Sequence, residues 1–377
     1  MGKLGVGIIG AGNISSAYLR LAPLFQGFEI KVIADLDPEA SKKRAEEFRI
    51  KARSVEDLLA AKDVDVVVNL TIPAAHFEVT KEILNAGKHA YSEKPFVLTL
   101  EEGVKLAEIA AGADLRIGSA PDTFLGGAHQ QARQLVDDGS IGEVVAGSCH
   151  VMSHGMEDWH PNPDFFFQPG GGPVLDLGPY YLSNLIQLIG PVKRVGALTS
   201  AATPTRVIGS EPRRGEVIAV ETPTNIHSLL EFTNGATVTF SASWDVWAHR
   251  HAPMEIYGTE GSLFLPDPNF FGGVVERAGR DGVITAKTAS GHPFGIANET
   301  HGDEMLANYR MAGLADMAAA IMEDRPHRCS LELALHTIDV MTGILKSGEI
   351  GGFVEMTTSC ERPAALSATE ARALLAK

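Results

Sequence analysis

The chain has 377 residues, a length that at roughly 150 residues per domain implies two to three domains and excludes a single small module. It carries 32 Lys and Arg against 47 Asp and Glu, a formal charge of −15, which argues against a nucleic-acid or anionic-membrane partner held by bulk charge. Hydrophobic residues make up 45% and charged residues 21%, globular proportions that argue against a largely disordered chain.

An unbroken apolar run over residues 4–9 predicts a buried strand, and residues 14–24 then change to helical spacing. Further strands are predicted over 28–34, 64–70, 88–92 and 115–118, with helices near 38–48, 55–61, 75–86 and 100–111. Ser54, with Asp57 three residues on, has the arrangement that opens the helix at Val55. Strands without polar alternation are buried on both faces, and their strict alternation with helices predicts an α/β domain with a parallel sheet and right-handed crossovers.

Beyond residue 122 the pattern changes. A helix over 124–138 leads to a segment over 143–153, a Gly-Pro-rich loop, and a helix over about 174–189. Strands follow over 192–202, 225–232, 237–243, 255–258 and 262–265, and Thr233-Asn234-Gly235-Ala236 carries the Asn-Gly signal of a hairpin turn. Trp244, Trp247, His249 and His251 alternate in a strand-like stretch. Late helices are predicted over 303–322 and 331–345, and the tail after Gly351 is weakly patterned. Two domains are therefore expected, residues 1–122 and 123–377, the second α+β with a mainly antiparallel sheet.

The first strand ends in Gly10-Ala11-Gly12-Asn13-Ile14-Ser15, and a helix starts at once. In a Rossmann turn the first glycine makes the bend and the second lets the backbone approach a pyrophosphate on the helix N-terminus. Ser15 replaces the third glycine with another small residue. Asp35 ends the second strand, 23 positions after Gly12, where a carboxylate accepts adenosine ribose hydroxyls and repels a 2′-phosphate, so NAD is expected over NADP. Lys42, Lys43 and Arg44 read as a solvated helix face.

Glu93-Lys94-Pro95 follows the strand at 88–92, and Gly170-Gly171-Gly172-Pro173-Val174-Leu175-Asp176-Leu177-Gly178-Pro179-Tyr180-Tyr181 comes later. Together with Gly10-Ala11-Gly12, Thr71-Ile72-Pro73 with His76, Tyr257-Gly258-Thr259-Glu260-Gly261 and the helix near Leu331, these motifs resemble the Gfo/Idh/MocA oxidoreductases over nearly the whole chain. The resemblance implies an N-terminal Rossmann domain and a C-terminal domain whose large open sheet often makes oligomer contacts. It also implies NAD(P)-linked chemistry on sugars, polyols and their derivatives. Gly10, Gly12, Asn13, Ile14, Asp35, Thr71, Ile72, Pro73, His76, Glu93 and Lys94 are the expected cofactor residues.

Lys94 stands at the carboxyl end of a parallel strand, where open α/β sheets present ligand-binding groups. A desolvated lysine beside a cationic ring can take the proton of an alcohol while hydride leaves for the nicotinamide. Asp176 and Tyr180, four apart, share one face of a helix start, and Asp176 could also serve as its N-cap. The family pattern has histidine where this chain has Tyr180, and an unperturbed tyrosine titrates near 10. Either Lys94 takes the proton while Tyr180 orients the hydroxyl, the favoured reading, or a lysine-assisted Tyr180 relays it.

Candidates for the substrate wall are Trp159 and His160 on the loop before the glycine run, Asp122 and Thr123 after the last parallel strand, and His336 in the helix from Leu331. No HExxH or Cys/His set suggests a metal. Cys149, Cys329 and Cys360 are too widely spaced for a disulfide framework, and the N-terminus enters a strand without a signal-peptide core. A soluble cytoplasmic protein is expected. The sequence thus predicts an NAD-dependent dehydrogenase or reductase of polyhydroxylated substrates, expected as a homodimer or homotetramer. The rivals are a redox-neutral sugar lyase or hydrolase with tightly bound NAD and a non-catalytic NAD-binding sensor.

Overall fold

Mostly buried apolar runs form β1 (Leu4–Ile9), β2 (Phe28–Ala34), β4 (Val66–Asn69), β5 (His89–Ser92) and β6 (Ile117–Ser119) in the computed structural model, which describes residues 2–287 and 291–376, and a short edge strand, β3 (Lys51–Ala52), joins them. All pair in parallel, in the order β3-β2-β1-β4-β5-β6. The order reverses beside β1, whose neighbours are β2 and β4, and at such a switch the crossovers leave a crevice at the carboxyl ends. β3 carries no apolar signal because both its residues are exposed.

The helices between these strands are α1 (Asn13–Leu21), α2 (Pro38–Phe48), α3 (Val55–Leu59), α4 (His76–Asn85) and α5 (Leu100–Gly112). Ser54 caps α3 as its spacing predicts, accepting the Asp57 N–H at 3.1 Å. Thr99 and Glu102 form a reciprocal capping box on α5.

The chain forms two compact units, and they do not divide at residue 122. The first comprises Met1–Gly127, Gly291–Ile338 and Pro363–Lys377; the second comprises Ala128–Ser290 and Asp339–Arg362. The expectation that everything after residue 122 belongs to the second domain is corrected for the two returning segments. Their attachment is physical. Ser330 bridges Gly118, and Ser119 donates its N–H to the Cys329 carbonyl at 3.1 Å, so the exposed edge of β6 is covered. Buried Arg328 pairs with Asp316 at 2.7 Å and donates to the Ala364 and Ala365 carbonyls, tying the returning segments together.

In the second unit β7 (Val144–Met152), β8 (Val192–Ser200), β11 (Asn225–Phe232), β12 (Thr237–Ser243), β13 (Met254–Gly258), β14 (Gly261–Leu265), β15 (Glu276–Gly279), β16 (Ile284–Ala286) and β19 (Val354–Glu355) make one sheet. Its order is β16-β15-β14-β13-β7-β12-β11-β8-β19, antiparallel except where β12 meets β7. The hairpin joining β11 to β12 turns at Asn234-Gly235 as its sequence predicts, with Gly235 at φ +90°. A separate ribbon pairs β9 (Thr205–Val207) with β10 (Val217–Ala219). The sheet packs on α8 (Pro173–Ile189), which is buried almost throughout.

Three local expectations are corrected. Residues 303–311 are not helical: β17 (Glu299–His301) and β18 (Glu304–Leu306) form a hairpin before α9 (Ala312–Glu323) begins. The stretch holding Trp247, His249 and His251 is a loop, in which His251 stacks on His150 at 4.0 Å and Trp247 on His154 at 3.3 Å. The weakly patterned tail ends in α11 (Ala368–Leu374), opened by a Ser367/Glu370 capping box. Among the described residues no helix is long and apolar enough to cross a membrane.

Candidate functional site

The glycine turn is shaped by close approach. Gly10 has φ +110°, and a Cβ on it would lie 2.6 Å from the Leu70 carbonyl carbon and oxygen, so only glycine fits. Gly12 is different. It is the N-cap of α1 at φ −65°, without a side-chain cap, and a Cβ there would meet nothing within 4 Å. Open space in front of uncapped helical N–H groups is a cradle for an anion. Ser15 is fully buried and donates its hydroxyl to the Gly12 carbonyl at 2.6 Å, which explains a small residue in place of the third glycine.

Asp35 ends β2 and binds this turn. Its Oδ2 accepts the Ala11 N–H at 2.6 Å and its Oδ1 the Asp37 N–H at 2.9 Å. Arg44 departs from the solvated face expected for Lys42, Lys43 and Arg44: its guanidinium pairs with Glu47 at 2.7 Å and reaches back to the Gly12 carbonyl at 3.4 Å, with Nε buried and without a hydrogen-bond partner among the described residues. Leu36 and Ile72, at the carboxyl ends of β2 and β4, leave large apolar side chains in solvent, 95% and 69% exposed.

The ends of β4 and β5 are tied together from behind. Buried Asn69 accepts both the N–H and the hydroxyl of Thr71 and donates to the His76 carbonyl. His76, expected at the cofactor, is 1% exposed. Its Nδ1 faces the Pro95 carbonyl at 2.7 Å and its Nε2 the Thr71 carbonyl at 3.0 Å. It therefore joins the loop after β4 to the loop after β5. Burial lowers its pKa, and a neutral ring donates to one of these two carbonyls. Glu93 is buried, and its Oε2 accepts the Lys94 N–H at 2.9 Å. The Lys94 side chain is half-buried at the strand end.

Asp122, expected at the substrate, holds the start of a later helix. Its Oδ2 accepts the N–H groups of Met311 at 2.9 Å and Gly313 at 3.0 Å, so this carboxyl supplies the cap for α9 that Met311, at φ +87°, lacks. Burial pushes its pKa up to about 6 against the opposing pull of the Gly313 N–H and Arg310. Thr123 is buried beside it, its hydroxyl without a hydrogen-bond partner among the described residues. His336, the remaining substrate candidate of this unit, lies in α10 (Leu331–Ile350) and is buried.

In the second unit the glycine run delivers the chain into α8. Gly172, at φ +91°, is the N-cap, which corrects the alternative that Asp176 fills that role. Asp176 lies in the first turn, its N–H donated to the Gly172 carbonyl at 3.1 Å, and is half-buried; Tyr180, one turn on, is buried. The preceding loop carries α7 (Asp164–Phe167). Trp159 stands 64% exposed, while the His160 ring meets Phe165 and Phe166 edge-on at 5.5 and 5.3 Å. His160 Nδ1 accepts the Asn162 N–H at 3.1 Å, which puts the ring proton on Nε2.

Sequence reasoning missed Asn69, Tyr18 and Arg206. Asn69 had a signal, being the polar end of a valine run in a strand buried on both faces. Arg206 had none: it is buried between Glu157 and Asp245, 5.6 Å from the Phe167 ring, and anchors the Trp159 loop. Among the described residues no group of three or more His, Cys, Asp and Glu side chains could hold a metal ion.

Comparison with known proteins agrees with this architecture. Residues 4–120 match the oxidoreductase family with an NAD-binding Rossmann fold, and residues 129–264 match the GFO/IDH/MocA C-terminal domain. An uncharacterized oxidoreductase of Schizosaccharomyces pombe is 32% identical over 38% of this chain and 38% of its own length. Levoglucosan dehydrogenase of Pseudarthrobacter phenanthrenivorans is 26% identical over 78% of this chain and 83% of its own. A solved structure of levoglucosan dehydrogenase in complex with NADH and levoglucosan superposes with a TM-score of 0.79 at 22% identity, covering 94% of this chain and 99% of that one. The glycine turn, the acid at the end of β2 and both matched domains make the chain a member of the GFO/IDH/MocA oxidoreductase family.

Proposed function

We propose that the protein is an NAD-dependent oxidoreductase that moves a hydride between nicotinamide and a secondary hydroxyl or ketone of a sugar, inositol or related polyol. One observation carries this reading: the open space at Gly12, where main-chain N–H groups at the start of α1 face outward with no side chain to fill it. A pyrophosphate fits that cradle without help from bulk charge. Asn13, Ile14, Thr71, Ile72, Pro73 and Glu93 complete the cofactor residues, and exposed Leu36 and Ile72 suit the flat faces of a dinucleotide. When bound, NAD supplies the hydride acceptor.

Lys94 takes the hydroxyl proton, Tyr180 orients the hydroxyl, and Asp176 holds a neighbouring substrate group from the same helix. Trp159 offers an aromatic face and His160 a ring N–H to a polyhydroxylated ligand. Asp35 turns its charge against a 2′-phosphate, which favours NAD over NADP. The test is a panel of sugars and polyols, including levoglucosan, followed by NADH absorbance with each cofactor. Failure of every compound, or a strong preference for NADP, overturns the reading; NAD that survives purification without net NADH formation favours a redox-neutral reaction. Tyr180→Phe lowers turnover and leaves it measurable, whereas complete loss with normal NAD binding shifts the proton relay to Tyr180.

The same reading includes a homodimer or homotetramer formed through the open sheet of the second unit, where Leu198 and Leu229 stand exposed; light scattering measures the mass. Cytoplasmic residence suits the three free thiols Cys149, Cys329 and Cys360.

A further inference from the structure

We propose that Tyr18 is a positioning residue for Lys94, acting through the Glu93 carboxylate; the inference rests on the reading of Lys94 as the base. Tyr18 belongs to α1, where its spacing reads as part of the apolar face, and it is 1% exposed. Its hydroxyl nevertheless donates to Glu93 Oε1 at 2.8 Å, across 75 residues of sequence. The other carboxylate oxygen, Oε2, accepts the Lys94 N–H at 2.9 Å. The Glu93 N–H is itself donated to the Asn69 carbonyl at 2.9 Å. One carboxylate thus links the helix behind the glycine turn to the main chain that carries Lys94.

A carboxylate as buried as Glu93 depends on its donors, because water does not replace them. Asp122, also buried, is a like charge in the same neighbourhood, so Glu93 has more need of the Tyr18 hydroxyl. Burial and these two carboxyls hold the Tyr18 phenol well above its ordinary range, and it remains a donor at any working pH. Phenylalanine would fill the same space in α1 and leave Glu93 Oε1 without this donor. The carboxylate then turns toward other partners, the Lys94 N–H is released, and the amine at the end of a four-carbon chain loses its fixed origin. Displacements of about 1 Å at a reacting group cost on the order of 100-fold in rate.

The test compares Tyr18→Phe, Glu93→Gln, the double variant and Lys94→Met in the full chain. Three quantities are measured: amide hydrogen exchange of Lys94 in a peptide covering residues 92–97, kcat on the fastest sugar of the panel, and NADH affinity by fluorescence. Tyr18→Phe is expected to speed exchange at Lys94 about tenfold or more and to lower kcat roughly 10- to 100-fold, with NADH affinity changed less than about threefold. In the Glu93→Gln background the same change adds less than about twofold. Unchanged exchange at Lys94, equal cost in both backgrounds, or NADH affinity that falls in step with kcat overturns the inference. Faster exchange with unaltered turnover likewise overturns the inference, whereas full turnover in Lys94→Met overturns instead the reading of Lys94 as the base.

Discussion

Asp35 accepts the main-chain N–H of Ala11 at 2.6 Å, from the end of one strand into the turn that follows another. The acid that the sequence offers as a ribose ligand is therefore also a brace of the glycine turn, so cofactor selectivity and turn geometry depend on one side chain.

Removing that carboxylate has two consequences. Asp35→Ala is expected to weaken NADH binding roughly 10- to 100-fold in a fluorescence titration, the loss of hydrogen bonds to a charged group. Asp35→Asn keeps an oxygen for the Ala11 N–H and removes the charge, so it loses less NADH affinity and narrows the gap between NADH and NADPH.

Arg44 acts on the same gap with the opposite sign. Its guanidinium stands by the Gly12 carbonyl, within the turn that receives the cofactor. Arg44→Gln is expected to lower NADPH affinity about fivefold or more and NADH affinity less than about twofold, since the two share the pyrophosphate and only the former brings a 2′-phosphate for the guanidinium to meet. Equal losses for the two cofactors would show that Arg44 serves the turn alone.

The two turn glycines separate folding from binding. At Gly12 a methyl group meets no protein atom within 4 Å, so Gly12→Ala is expected to keep its melting temperature and lose at least about tenfold in NADH affinity by occupying the cradle. At Gly10 a methyl group would strike the Leu70 main chain at a φ of +110°, so Gly10→Ala is expected to lower stability by about 1–3 kcal/mol or more and binding with it. Calorimetry alongside the titration distinguishes the two.

Asp122 gives stability a pH dependence whose sign follows from its burial. Its pKa rises from an ordinary 3.8 to about 6 in the fold, so between those values the folded chain holds a proton that the unfolded chain has released. Its contribution is most favourable below pH 4 and is lost as pH rises through about 6, by about 3 kcal/mol in all. Asp122→Asn keeps an acceptor for the Met311 and Gly313 N–H groups without the buried charge. Urea unfolding is expected to find it close to wild type at pH 4 and more stable at pH 7.5. A less stable variant at pH 7.5 would show that α9 requires the ionised carboxylate.

Much of the first unit was legible along the chain. Short apolar runs, Ser54 ahead of α3 and the Gly10-Ala11-Gly12 turn are local signals, and each reports the conformation of its own few residues. The second strand of the late hairpin, Glu304–Leu306, was misread as the start of a helix because so short a ribbon has too few alternating positions to show its period. The main-chain partners of His76 and Asp122 were not legible: a polar side chain that follows a strand looks the same in sequence whether it meets a ligand or a main-chain group.

By itself the sequence determined the parallel sheet, the dinucleotide turn, the acid beside it, and the motifs Glu93-Lys94-Pro95 and Asp176 with Tyr180, because backbone geometry and helix or strand period are set by residues a few positions apart. Only the tertiary structure decided that residues 291–338 and 363–377 rejoin the first unit, that Tyr18 holds Glu93, and that Asp122 caps α9 from 189 positions away. Such partners are chosen by the requirement that each buried donor or acceptor find a mate in three dimensions, and that requirement has no periodic trace in the order of residues.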